Sequence, residues 1–241
     1  MDIYRSFIND LTELLPAINE SNNESIISVY LGGSVSRGDY IVGISDIDLY
    51  MVMKNQNESN EINNAIQNLA KKELPELLSW CPDGVTVAFT SYQDIKSGAS
   101  WLGNGSEYLN FQEAGKLLYG KDIKHEIIAP NDNEIIVSSN QAIRQIKQIV
   151  QQEVSSVPGN KYFVRGVFSA AFSAIHFYLC TNRQYLRGKE QTVHVYSELN
   201  PAGAGIAKEL LSLWRVFSQR ELSNAEIARL IDYTKELVNS L

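Results

Sequence analysis

Two short stretches indicate the fold of this chain: GGSVSRG at residues 32–38 and SDIDL at residues 45–49. Side chains alternate between the two faces of a strand, so Asp46 and Asp48 are expected to project to the same side. A pair of carboxylates that project together suits Mg²⁺, which prefers oxygen ligands and completes its shell with water and substrate phosphates. The pattern therefore predicts a metal site that serves a nucleoside triphosphate.

The glycine-rich stretch follows an apolar run, residues 26–31, which is typical of a buried strand. Gly32 and Gly33 permit close backbone approaches that a Cβ would block. Ser34 offers a hydroxyl and a backbone N–H to a phosphate, and Arg37 could add positive charge beside it. The stretch is not a Walker loop, because no Gly-Lys-Ser/Thr follows, and the G-x-G-x-x-G spacing of a dinucleotide-binding turn is absent.

These paired motifs resemble those of the nucleotidyltransferase superfamily that includes DNA polymerase β. The signature of that superfamily is Gly-Ser after a first strand and Asp-x-Asp on the next, which corresponds here to residues 33–34 and 46–48. The resemblance is strongest over residues 25–54 and extends more loosely to about residue 123. The length and the helical second half look most like the bacterial adenylyltransferases that modify aminoglycosides.

The resemblance implies Mg²⁺-dependent phosphoryl transfer with two metal ions, from ATP or another triphosphate to a hydroxyl of a small acceptor. Asp46 and Asp48 would hold the metal, and Gly33, Ser34 and Arg37 would bind the phosphates. An aminoglycoside-like antibiotic is the expected acceptor, which would make the activity one of antibiotic resistance.

The sequence departs from the resembled pattern at a third carboxylate, which usually lies on a third strand. The candidate strand, residues 85–90, presents Thr86, Ala88 and Thr90 on the relevant face, and none of these can ionise to bind a metal. Asp83, just before this strand, is the nearest acid and the candidate third catalytic residue. An acid from the helical half could substitute, or the site could be degenerate.

The periodicity of the chain predicts an α+β domain followed by an all-α bundle. Over residues 1–128, apolar strands alternate with amphipathic helices, which fits a mixed sheet with flanking helices. The turn-rich residues 129–133 are the expected linker, and each long segment in residues 129–241 has helical periodicity. In this second half, Arg187 and Lys189 could reach the triphosphate across a cleft between the domains, and Lys189 is a predicted nucleotide contact.

Composition restricts the class of protein. Hydrophobic residues make up 44% and charged residues 20% of 241, which is ordinary for a globular chain. The net charge of −7 argues against stable binding to duplex nucleic acid, because such binders neutralise phosphates with clustered Lys and Arg. No signal peptide is evident at the N-terminus, and no apolar stretch is expected to span a membrane, so we expect a cytoplasmic protein.

Two other functions remain open at this point. The first is a non-catalytic nucleotide-binding protein, which the missing third carboxylate favours. The second is an antitoxin-type nucleotidyltransferase that modifies a protein or an RNA, although those minimal forms normally lack a helical second half. The sequence does not determine the acceptor, the choice of triphosphate or the oligomeric state.

Overall fold

The structure, a computed structural model, describes residues 2–54, 56–153, 160–185 and 188–241. The chain divides into two compact units, Met1–Pro130 and Asn131–Leu241. The first unit is a sheet with helices around it, and the second is helical. The predicted fold class, an α+β region followed by an all-α region, is therefore confirmed.

The first unit contains a four-stranded mixed sheet with the strand order β3-β2-β1-β4. β1 is antiparallel to both β2 and β4, whereas β2 and β3 are parallel. The elements are β1 (Ile26–Leu31), β2 (Ile47–Met53), β3 (Val85–Ser91), β4 (Lys116–Gly120), α1 (Ile3–Ser21), α2 (Gly33–Arg37), α3 (Ser59–Glu73), α4 (Pro75–Trp80), α5 (Tyr92–Ser97) and α6 (Gly105–Ala114).

Two hydrophobic cores lie on opposite faces of this sheet. Alternate residues of β2, among them Ile47, Leu49 and Met51, enter the core that α1 and α3 cover. Tyr30 and Phe111 belong to the core on the other face, which α6 covers. Since side chains alternate along a strand, the residues of β2 between the buried ones point to the α6 side. This alternation decides where the carboxylates of the predicted site lie.

The second unit consists of five helices among the described residues. They are α7 (Asp132–Glu153), α8 (Lys161–Thr181), α9 (Lys189–Leu199), α10 (Ala204–Phe217) and α11 (Asn224–Ser240). Phe168 and Ile175 of α8 are fully buried, and the ring of Phe168 contacts Trp214 and Phe217 of α10. α7 begins at Asp132, so the helix starts inside the predicted linker.

α8 corrects one expectation from the sequence. Among the described residues it is the single helix that is long and apolar enough to cross a membrane, so the expectation that no stretch reaches that length is wrong. Half of its most apolar window is buried inside the structure, and the core helix of a soluble protein has the same length and composition. The helix is therefore weak evidence for a membrane span, and the cytoplasmic location stays a prediction.

Candidate active site

The candidate site lies at the edge of the sheet where β1 ends and β2 and β3 begin. Because β1 and β2 are antiparallel, the glycine turn after β1 lies beside the start of β2. The Gly32 N–H donates a hydrogen bond to the Asp48 carbonyl at 2.8 Å, which fixes the turn against β2. The Ile47 N–H donates to the Gly84 carbonyl at 2.9 Å, which brings the start of β3 to the same edge.

The carboxylate of Asp48 faces the glycine turn. A Cβ added at Gly33 would overlap the Asp48 Oδ2 atom, and Gly33 has a φ of +60°, in the left-handed region. Both observations require glycine at this position. The other carboxylate oxygen, Oδ1, accepts a hydrogen bond from the Thr86 hydroxyl at 2.9 Å. One oxygen of Asp48 is therefore held by β3, and the other lies against the backbone of the turn.

Asp46 lies immediately before β2, on the same face as Asp48. Asp46, Asp48 and Tyr50 are partly exposed, whereas the intervening Ile47 and Leu49 are buried. The electrostatics agree with this alternation. Burial raises the pKa of Tyr50 well above its ordinary value, and the nearby charges of Asp48 and Asp46 raise it further. Both carboxylates therefore act on the same tyrosine hydroxyl.

The residues predicted to bind phosphates lie on the short helix α2. Ser34 is partly exposed, whereas Ser36 is buried and donates its hydroxyl to the Ala114 carbonyl, tying α2 to α6. Arg37 donates a hydrogen bond from Nε to Asp39 at 3.1 Å. The positive charge of Arg37 partly offsets the rise in the pKa of Tyr50. The guanidinium therefore lies near the face that carries the aspartates.

The position for a carboxylate on the third strand is occupied by threonine. In the parallel register of β2 and β3, Thr86 is paired with Asp48 and Ala88 with Tyr50. Asp83 is exposed in the turn that precedes β3. In the part of the chain that the structure describes, no group of three His, Cys, Asp or Glu side chains is placed to hold a metal ion. The catalytic role of Asp83 stays a prediction.

Sequence reasoning missed one acid on the α6 side of β2. Glu107 lies in the first turn of α6 and is partly buried. Burial raises its pKa above the ordinary value for glutamate, and its charge contributes to the raised pKa of Tyr50. The segment around Glu107 matches no motif, so only the packing of α6 on the sheet reveals it.

Lys189 begins α9 in the second unit. Its ammonium lies 4.5 Å from the centroid of the Trp214 ring and 5.7 Å from that of Phe172, distances at which a cation interacts with an aromatic face. Arg187, the neighbouring candidate, lies outside the described residues. The role of Lys189 in nucleotide binding stays a prediction.

Comparison with known families agrees with the geometry. Residues 11–98 match the family model described as a nucleotidyltransferase domain. The matched segment runs from within α1 to the end of α5, so it contains the glycine turn, both aspartates and β3. This part of the chain is therefore similar to a nucleotidyltransferase domain. A comparison with curated proteins gives no match.

Proposed function

We propose that this protein transfers a nucleoside monophosphate, with AMP from ATP as the leading case, to a hydroxyl of a small acceptor. One observation carries the proposal. The Asp48 carboxylate lies between the Thr86 hydroxyl and the backbone of Gly33, on the same face as Asp46. The Asp48 carboxylate therefore faces a glycine turn that suits phosphate oxygens. The match of residues 11–98 to a nucleotidyltransferase domain supports this assignment.

The donor set fits Mg²⁺. Asp46 and Asp48 present carboxylate oxygens on one face, and Mg²⁺ is usually bound by one or two carboxylates together with water and substrate phosphates. The Thr86 hydroxyl donates to Oδ1 of Asp48, and a carboxylate carries two oxygens that can each accept hydrogen bonds or bind a cation. When bound, the metal would neutralise charge on the triphosphate as pyrophosphate leaves.

The remaining residues of the turn orient the triphosphate. The missing Cβ of Gly33 makes room for the Asp48 carboxylate, and the backbone N–H of Gly33 is offered to a phosphate oxygen. The Ser34 hydroxyl donates a hydrogen bond to a phosphate oxygen, and the guanidinium of Arg37 adds positive charge. Tyr50 carries its proton at neutral pH, as an ordinary tyrosine does, and burial raises its pKa further, so its hydroxyl can donate a hydrogen bond there.

We further propose a cationic acceptor of the aminoglycoside class, which would make this an enzyme of antibiotic resistance. The support is the net charge of −7, which attracts a polycationic molecule, together with the resemblance to adenylyltransferases that act on such antibiotics.

The test is product formation from ATP labelled at the α-phosphate, with Mg²⁺ and a panel of aminoglycosides. We expect release of pyrophosphate and an acceptor whose mass increases by one AMP unit. Omission of Mg²⁺ should abolish the product. If ATP binds but no acceptor gains the label, the proposed transfer to aminoglycosides is wrong.

A second function, nucleotide binding without turnover, is favoured by the threonine at position 86. The strand position beside Asp48 holds a hydroxyl instead of an acid, so β3 adds no carboxylate beside Asp46 and Asp48 at this position. In this case a fluorescent ATP analogue would bind with Mg²⁺, and no pyrophosphate would be released with any acceptor. The same assay therefore separates the two functions.

A further inference from the structure

The third strand supplies no acid beside Asp48, so a base for the acceptor hydroxyl must come from another element. Thr86 and Ala88 occupy the two positions of β3 that face the site. On the same side of the sheet, α5 and α6 both contribute to the core around Tyr50, and Phe111 of α6 contacts the Tyr50 ring. The face of α6 that is turned toward Tyr50 can therefore supply such a base.

Ring contacts fix the orientation of α6. Phe111 is fully buried, with its ring centroid 5.8 Å from that of Tyr50 and 4.8 Å from that of Tyr30. Residues four apart lie on the same face of a helix, so Glu107 lies one turn before Phe111 on the face that contacts Tyr50. Ser36 donates to the Ala114 carbonyl, so the C-terminal end of α6 is held by α2.

The surroundings of Glu107 suit a base. Besides Glu107, the charged groups that act on Tyr50 are Asp48 of β2, Arg37 of α2 and Asp46, which precedes β2. Burial raises the pKa of Glu107 toward neutrality, which is the direction that favours proton acceptance by a carboxylate in catalysis. Among the described residues no three His, Cys, Asp or Glu side chains are grouped to hold a metal, so Glu107 is not assigned as a third ligand beside Asp46 and Asp48.

We infer that Glu107 is the general base of the reaction, an inference that rests on the proposed nucleotidyl transfer. The Glu107 carboxylate takes the proton of the acceptor hydroxyl while the acceptor oxygen forms a bond to the α-phosphorus. The bond from that phosphorus to the oxygen bridging to the β-phosphate breaks, and pyrophosphate leaves with the electron pair. Glu107 then releases the proton to solvent.

The test compares Glu107→Gln with Glu113→Gln in the full chain. Glu113 is exposed on the same helix, so its substitution removes an equal charge away from the site. With labelled ATP, Mg²⁺ and the aminoglycoside that gives most product, we expect Glu107→Gln to reduce kcat by about 10²- to 10⁴-fold. Glu113→Gln should keep the wild-type rate, and the KM for ATP should stay within about twofold in both.

The pH dependence of the rate is a second measurement, and it would be the same in the Glu107 variants if Glu107 had only a structural role. The wild-type rate should fall as the pH drops through the pKa of Glu107, because a protonated carboxyl cannot accept a proton. In Glu107→Gln this decrease in rate at low pH, the acid limb of the profile, should be absent. Glu107→Asp keeps a carboxylate, so its profile should retain the acid limb while its maximal rate is reduced. Circular dichroism of each variant verifies that the fold is intact.

Several outcomes overturn the inference. If Glu107→Gln keeps the wild-type rate and pH profile, Glu107 is not the base, although the proposed transfer stands. If Glu107→Gln weakens Mn²⁺ binding measured by electron paramagnetic resonance, Glu107 is a metal ligand instead. If Asp83→Asn removes the acid limb and Glu107→Gln does not, Asp83 is the base. A wild-type protein that forms no product rejects both proposals.

Discussion

At the scale of single residues, the site depends on how Asp48 is oriented. Thr86 donates to one carboxylate oxygen, and Gly33 leaves space for the other. These two contacts fix the side chain before any ligand binds, so little rotamer entropy would remain to be lost on binding of the proposed metal and nucleotide.

We expect Asp46→Asn and Asp48→Asn each to reduce Mg²⁺-dependent turnover by about 10³-fold or more, since each removes charge that balances the metal. The melting temperature should stay close to that of the wild type, because both side chains are partly exposed. Turnover and thermal unfolding are measured for each variant. Glu13→Gln, an exposed acid on α1, is the control. Full turnover in either aspartate variant would contradict the metal assignment.

Gly33→Ala and Gly38→Ala form a matched pair. Both glycines have positive φ, at +60° and +83°, so alanine should cost about 1 kcal/mol or more in folding free energy at each position. Only the Cβ at Gly33 would overlap the Asp48 carboxylate, since nothing lies within 4 Å of one at Gly38.

Urea unfolding and titration with a fluorescent ATP analogue measure the two effects. Nucleotide binding should weaken at least tenfold more in Gly33→Ala than in Gly38→Ala, a difference of about 1.4 kcal/mol. Equal affinities in the two variants would show that the contact between the turn and Asp48 does not matter for binding.

The sequence predicted the shared face of Asp46 and Asp48, because alternation along a strand is a local property. It also predicted that Thr86 faces the site. Glu107 could not be found in this way, because its proximity to Tyr50 depends on how α6 packs on the sheet. The pairing of Arg37 with Asp39 was likewise not indicated by any motif.

At the scale of elements, a charged cluster joins α5 to the segment after β4. The Glu126 carboxylate accepts a hydrogen bond from the Tyr92 hydroxyl at 2.5 Å. It also forms ion pairs with Lys96 at 2.5 Å and with Lys121 at 2.6 Å. The bond to Lys121, followed by those to Lys96 and Tyr92, lowers the pKa of Glu126 from 4.5 to about 2.

A lowered pKa gives a definite pH dependence to stability. The Glu126 charge should stabilise the folded state above pH 4.5, and this contribution should disappear as the pH falls toward 2. Glu126→Gln should therefore melt below the wild type at pH 7, and the difference should shrink in acid. Thermal unfolding from pH 7 to pH 2 measures it, with the exposed Glu76→Gln as control. A difference independent of pH would contradict the electrostatic explanation.

Local signals in the sequence explain several element boundaries. Pro75 divides the long helical segment into α3 and α4, because proline cannot continue a helix without losing a hydrogen bond. Ser91 caps α5 by accepting a hydrogen bond from the Asp94 N–H. β4 was not indicated as a strand, because it is a short edge strand with partly or fully exposed side chains.

At the scale of the whole molecule, each unit has a hydrophobic core of its own. The cores on the two faces of the sheet lie within the first unit, which also carries Asp46, Asp48 and Gly33. We therefore expect a fragment of residues 1–130 to fold, with a cooperative thermal transition, and to bind a fluorescent ATP analogue with Mg²⁺. Residues 131–241 alone should not bind the analogue. A fragment of residues 1–130 without a cooperative transition would show that its fold requires the helical unit.

The parallel pairing of β2 and β3 has a consequence for refolding kinetics. Asp48 and Thr86 are 38 residues apart in the chain, and α3 and α4 lie between them, so their contact closes a long loop. Such pairings form slowly, because chain entropy is lost before the contact is gained. In stopped-flow refolding we expect helical ellipticity to recover early and fluorescence of the bound ATP analogue to appear in the slowest phase.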